Sequence, residues 1–511
     1  MAGPTLCFGI FSFSHDLSLM LSTDFSIVSN IIDLQQRKIF LGKVTVSNDR
    51  IESIEDLGTV REGQPYLLPG FIDAHIHIES SMLTPPAFAA IAVKHGTIAT
   101  ISDPHEIANV CGIKGVRYMV NLGNQSGFRF YFGAPSCVPA TPFETAGSTL
   151  PLSDIRELFH NKEVHYLAEM MNYPAVLAGD PLVMDKIALA QEYNLLIDGH
   201  APGLKGKEAA KYAAAGISTD HECTSLDEAL SKIEAGMKII IREGSAAKNY
   251  NALHSLISTH PEMVMFCSDD KHPDDLLRGH INQLVVRSLD QGYDLFDILN
   301  IACINPVMHY QIDIGLLQVG EMADMILIEN LLSFKVLSTW IAGKQVYDGD
   351  IVYLPQVAIP VINNFGISSV QKHAFELHLN HGKANIILAI DGALVTEHIQ
   401  EKMEAGLFES DKDRDILKLV VVNRYADSPP AIALIKGFGL KAGAIASSVA
   451  HDSHNIVAVG TNDDDLATCI NEVIFNKGGI AATYGKEHQS LPLRVAGLMS
   501  NSSASIVGKA Y

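Results

Sequence analysis

Short runs of apolar residues alternate with polar ones from about Ile27. They are Ile27-Val28, Lys43-Val44-Thr45-Val46 and Asp49-Arg50-Ile51-Glu52-Ser53-Ile54, with Asn48-Asp49 reading as a turn between two of them. A period of two bounded by turn residues predicts strands, so a small β domain opens the chain. From Leu68 to about Tyr310 the rhythm changes. Apolar strands (Thr97–Ile101, Tyr166–Met171, Leu195–Ile197, Ile217–Thr219, Met237–Ile241, Met263–Cys267) alternate with amphipathic stretches (Lys207–Ala215, Leu226–Ala235, Ile281–Asp290). Repeated strand–helix units predict a parallel sheet, and a (β/α)8 TIM-like barrel takes about 250 residues, which this segment supplies. Pro135–Pro151, rich in Pro, Gly and Thr, is expected to loop over the barrel mouth. Strands and turns return over Asp313–Asp350, read as the second half of the β domain that the barrel interrupts. A third unit mixes strands (Lys418–Val422, Ile456–Gly460) with a helix (Asp464–Phe475). The expected fold class is α/β, with a C-terminal α+β domain. Its divisions are 1–66 and 313–358 for the β domain, 67–312 for the barrel and 359–511 for the C-terminal domain.

Composition narrows the function. The chain has 511 residues, 47% of them apolar and 19% charged, which suits a packed globular protein rather than a disordered one. The net charge of −21 repels phosphate backbones and anionic lipid, so no nucleic-acid or membrane partner is expected. No apolar run approaches a membrane span. The first 25 residues carry no clear period and are expected to be a poorly ordered start. Within them Leu6–Phe13 is apolar but short and unpreceded by Lys or Arg, so a signal peptide is not expected. The cysteines at 7, 111, 137, 223, 267, 303 and 469 are odd in number and never spaced C-x-x-C. This points to a reducing, cytoplasmic compartment and removes a Cys-ligated zinc site.

The chemistry gathers where strands end. In Pro69-Gly70-Phe71-Ile72-Asp73-Ala74-His75-Ile76-His77, residues i and i+2 point the same way, so His75 and His77 project together and can grip one metal ion. Barrel active sites lie at the C-terminal ends of the strands, and further donors are expected there. Glu169 is an acid inside an apolar strand, a placement that is costly unless it is paired or binds a metal. His200, His221 and Asp269 each follow a strand-like run, with Asp270 as the rival to Asp269. Four imidazoles and two carboxylates suit one or two divalent ions such as Zn, Mn or Fe. Such an ion lowers the pKa of bound water, and an adjacent carboxylate can relay its proton to a leaving group, so hydrolysis or deamination is the expected chemistry.

At these residues the chain resembles the amidohydrolase superfamily of metal-dependent hydrolases, and within it the adenine deaminase family. The resemblance runs through His75–Met82, Asp103–Val110, Ala168–Asn172, Asp198–Pro202 and Thr219–Cys223. It continues in Ile241–Ser245, Ser268–Pro273 and, in the third unit, Ala450–Asn455. It implies deamination of adenine to hypoxanthine and ammonia at a two-metal centre of manganese or iron. The implied ligands are His75, His77, Glu169, His200, His221 and Asp269. Where many superfamily members carry a carboxylated Lys, this chain offers Glu169, which favours the adenine deaminase branch over dihydroorotase-like or hydantoinase-like ones. Asp269, Glu169 and His221 are the expected catalytic residues, Asp269 passing a proton toward the departing ammonia. Glu79, His105, Glu106, Arg242 and Glu243 are candidates to bind the purine, each with a structural role as the rival reading. His451 and His454 are candidates to close the site. A homo-oligomer is expected. The family pattern also leads one to expect several dozen residues beyond Leu491–Ser500, and it offers no counterpart for the first 25. The competing readings are a cyclic amide hydrolase built on the same centre and an inactive scaffold.

Overall fold

The structure is a computed structural model that describes residues 24–511, so most of the expected irregular start, with its Leu6–Phe13 stretch, lies outside the described residues. The period-two segments form the expected strands. Phe25–Asp33, Lys38–Ser47 and Arg50–Gly58 pair antiparallel in order, and Asn48 takes a left-handed turn conformation (φ 58°) between the last two. Val44, Val46 and Ile51 point to one side and pack on Leu67 and Trp340. Tyr66–Pro69 joins Phe25–Asp33 in parallel. On its other edge it takes Met325–Ile328, followed by Val336–Ile341 and Lys344–Tyr347. One seven-stranded sheet is thus built from both sides of the central segment. Its last strand before the central segment is Tyr66–Pro69, whose Leu67 and Leu68 are buried and pair with Leu327 and Ile326.

Between these portions run short parallel strands, most of them buried on both faces as parallel strands are. Phe71–Ile76, Thr97–Ser102 and Arg129–Phe132 pair in order. Ala134 bridges to Leu167, Leu167–Met170 pairs with Ile197–Gly199, and Ser218 N donates to Ile197 O at 2.9 Å. Thr219–Asp220, Lys238–Arg242 and Val264–Cys267 pair next. The succession returns to its start where Asp269 N donates to His75 O at 3.0 Å. This is a TIM-barrel-type arrangement. Arg129–Phe132 and the helices Ile113–Gln125 and Pro181–Glu192 were not among the expected elements. The expected strand at Leu195–Ile197 falls instead at Ile197–Gly199.

The C-terminal unit is an eight-stranded sheet against which helix Asp463–Phe475 packs. Ile416–Val422 is a central strand of the sheet. Lys418, buried within it, is matched by Asp463 at 2.6 Å and Phe375 O at 2.8 Å. The helix starts where the Asn462 side chain accepts from Asp465 N, and Asp463–Asp465 complement its dipole. The chain then returns to the barrel. Ser500 N donates to Met82 O at 2.8 Å, and Ala504 and Val507 of the last helix join the barrel core. Among the described residues no helix is long and apolar enough to cross a membrane.

Asp324 stitches sheet and barrel together. Fully buried, it accepts from Gly315 N (2.8 Å) and Ala342 N (2.7 Å) and pairs with Arg129 of the third barrel strand. Removing one partner of a buried ion pair strands the other. Asp324→Ala is expected to cost about 3–5 kcal/mol, read by chemical denaturation; a change within about 0.5 kcal/mol would contradict this role.

Candidate metal centre

The donors converge because each follows its strand toward the same end. Asp73, one turn of the pleat before His75, accepts from Ser268 N (3.1 Å) and His280 Nε2 (2.8 Å), which fixes the end of the last strand beside the first. His75 Nε2 and His77 Nε2 then lie 3.3 Å apart, and Asp269 Oδ1 lies 3.5 and 3.2 Å from them. Asp269 adopts φ 50°, an uncommon left-handed conformation for a non-glycine residue. The rival Asp270 instead accepts from Ser80 Oγ at 2.6 Å.

Glu169 sits at the middle. Its Oε1 is 3.3 Å from His77 Nε2 and 3.2 Å from His105 Nδ1. Its Oε2 is 2.7 Å from His200 Nδ1 and 3.3 Å from His221 Nε2. One carboxylate therefore presents its two oxygens to two separate groups of imidazoles. All six expected ligands come together, and all but His200 are buried. Burial penalises the charge on Glu169, yet His200, His105 and His221 hold it well below the usual carboxylate range. Asp269 is likewise buried, and His75, His77 and Arg242 hold it low. Burial and the neighbouring His221 push His75 down, toward the neutral form that ligates metal.

The donor chemistry fits divalent cations. Buried oxygen and nitrogen donors facing one another at 3.2–3.5 Å need a cation or protons between them. Three overlapping sets, His75/His221/Asp269, Glu169/His200/His221 and His77/Asp103/His105/Glu169, have donor atoms within 4.8 Å of one another.

The other expected residues divide. His105 is drawn to Glu169 and to Asp103 Oδ2 (3.1 Å). Arg242 is buried and clamps Glu222 and Asp269 (2.8 Å to the latter), so it orients the carboxylate. Glu243 is not brought to the cluster: its carboxylate turns to Arg287 at 2.9 Å, because position 243 lies one step past the end of its strand. Glu79 is buried beside Glu106, and burial with that neighbour pushes its carboxyl up to about 8. His451 reaches Glu106 Oε1 at 2.8 Å, while His454 lies fully buried behind it. Asp103, Glu222 and Ser80 were not singled out beforehand. Asp103 and Glu222 flank named residues within the motifs, which was the available signal.

A TIM-barrel-type fold with imidazoles and carboxylates gathered at the strand ends defines a metallo-dependent hydrolase. Residues 66–346 match the amidohydrolase family, and residues 393–511 match the adenine deaminase C-terminal domain. The adenine deaminase of Salinibacter ruber is 49% identical over 490 residues, covering 95% of this chain and 89% of that protein. That of Sulfurovum sp. is 51% identical over 485 residues (94% and 89%), and that of Methanosarcina mazei 46% over 498 (94% and 89%). The chain belongs to the adenine deaminase family of the amidohydrolases.

Cations that bind the native state alone stabilise it by mass action, about 2.7 kcal/mol at a hundredfold excess over Kd. Chelation is expected to lower Tm and added Mn²⁺ to restore it, with the response largely lost in Glu169→Ala. An equal response in that variant would contradict the central place of Glu169.

Proposed function

We propose that this protein hydrolyses adenine to hypoxanthine and ammonia, using two divalent cations, manganese or iron. One would be held by His75, His77 and Asp269, the other by His200 and His221, with Glu169 reaching both. The observation that carries the reading is Glu169, with its two oxygens turned to separate imidazole groups, in a chain about half identical to adenine deaminases. The eight parallel strands are read as a closed (β/α)8 barrel, supported by the bond from Asp269 N back to His75 O. The division into 1–66 with 313–358, 67–312 and 359–511 is supported by the shared seven-stranded sheet. A cytoplasmic location is supported by the six described cysteines, all free.

Bound divalent cations lower the pKa of water and polarise the electrophilic carbon. The protein's own groups supply the proton transfers. Asp269, kept ionised by Arg242 and the imidazoles, accepts a proton from the attacking water and delivers it to the amino group leaving C6. Arg242 holds that carboxylate in one orientation, and Glu222 holds Arg242 in turn. His221, stacked on His75 with ring centroids 4.0 Å apart, walls the centre and faces the developing charge. Glu79, His105 and Glu106 line the side toward the C-terminal unit, where the purine binds.

Purified protein supplied with Mn²⁺ is expected to release ammonia from adenine and to retain two ions per chain by elemental analysis. Turnover of hydantoins or dihydroorotate in place of adenine would overturn the substrate. No turnover of either in fully loaded protein would favour a scaffold. Asp269→Ala is expected to lower kcat by about 10²–10⁴ while some metal stays bound; full activity would reject the relay.

A further inference from the structure

Glu106 is fully buried at the start of helix His105–Cys111, and only one of its oxygens is engaged. Oε1 accepts from Ser80 Oγ at 2.9 Å and from His451 Nδ1 at 2.8 Å. Oε2 has no partner. A buried acceptor left unpaired is costly, and native structures carry few of them. This one lies close to the chemistry. Ser80 Oγ also touches Asp270, whose carboxylate groups with His77 and Asp269 within 4.8 Å.

The other side of Glu106 belongs to the C-terminal unit. His451 precedes Asp452, whose Oδ1 lies 3.8 Å from His105 Nε2. Asn455 Nδ2 donates to Thr145 O at 2.8 Å, and Tyr425 Oη donates to Ser453 O at 2.6 Å. These bonds lay residues 450–455 against the 135–151 loop and hold His451 on the carboxylate.

A purine offers a matching group. With C6 of the six-membered ring at the metal cluster, the N–H of the five-membered ring lies at the far end of the base. An ionised carboxylate with a free oxygen is a strong acceptor for that hydrogen. Resting on the adenine reading above, we infer that Glu106, held by Ser80 and by His451 of the C-terminal unit, accepts the five-membered-ring N–H of the purine. The site thereby selects free bases over purines substituted at that nitrogen. His451 is a positioning residue in this arrangement, and the C-terminal unit completes base recognition.

The test is calorimetric binding of hypoxanthine and 9-methylhypoxanthine to the full-length, Mn²⁺-loaded protein, which does not depend on turnover. Wild type is expected to prefer hypoxanthine about 10- to 100-fold, the worth of one hydrogen bond to a charged group. Glu106→Gln is expected to bring that ratio toward unity with the metal content unchanged. His451→Ala is expected to narrow it severalfold, and decides the matter if the first variant fails to fold. An unchanged ratio in the folded Glu106→Gln protein, or in His451→Ala, would overturn the assignment. So would a collapse in Glu79→Gln but not in Glu106→Gln. Adenine turnover by wild type is scored separately: its absence defeats the adenine reading, whereas an unchanged ratio in an active enzyme defeats only the role of Glu106.

Discussion

A carboxylate out of water must be compensated, and Glu169 is compensated from two directions at once. Its oxygens lie within 2.7–3.3 Å of four imidazoles that follow four different strands. Burial alone would push its proton affinity up, and the imidazoles more than reverse that. Strand order, strand length and the loops after each strand all serve to bring these groups to one point. If any of the contributing strands slid by one residue, its donor would turn to the other face.

The surroundings hold that point rigid through buried pairs. Asp73 ties the last strand to the first through Ser268 and His280. Lys232, fully buried, bonds Ala201 O and Glu228 and lies 3.0 Å from Asp220, the residue before His221. Asp220 in turn accepts from Ala201 N, just past His200. The two imidazoles on the Oε2 side of Glu169 are thus fixed by one network. Arg242 does the same for Asp269. Such pairs contribute little net stability compared with apolar packing, but removing one partner strands the other. Their value here is orientation.

How much of this was legible beforehand follows the physics of each element. The convergence of the six side chains was readable because a polar residue at the end of an apolar strand has few structural uses, and a TIM-barrel-type fold collects such ends on one side. The helix Ile281–Asp290 and the strand Ile456–Gly460 fall on their expected bounds because their periodicity is strong. Arg129–Phe132 escaped notice because it opens on an Arg and is fully buried only at alternate positions, unlike the equally short Leu167–Met170 and Val264–Cys267. The hairpins of the C-terminal unit, such as Gly382–Ala389 with Thr396–Met403, are half-exposed and mix charged with apolar residues, so alternation is blurred. The pairing of Glu243 with Arg287 was not readable, because adjacency to Arg242 in the chain says nothing about direction past the strand end. The contact between His451 and Glu106 spans 345 residues of sequence and no local pattern announces it.

The proposed role of Glu169 is to join two cation sites. Anomalous diffraction at the manganese edge, on crystals of the Mn²⁺-loaded protein, tests it most directly. Two peaks are expected on either side of the Glu169 carboxylate, one beside His75, His77 and Asp269 and the other beside His200 and His221. A single peak, or two peaks that leave Glu169 unligated, would contradict the account.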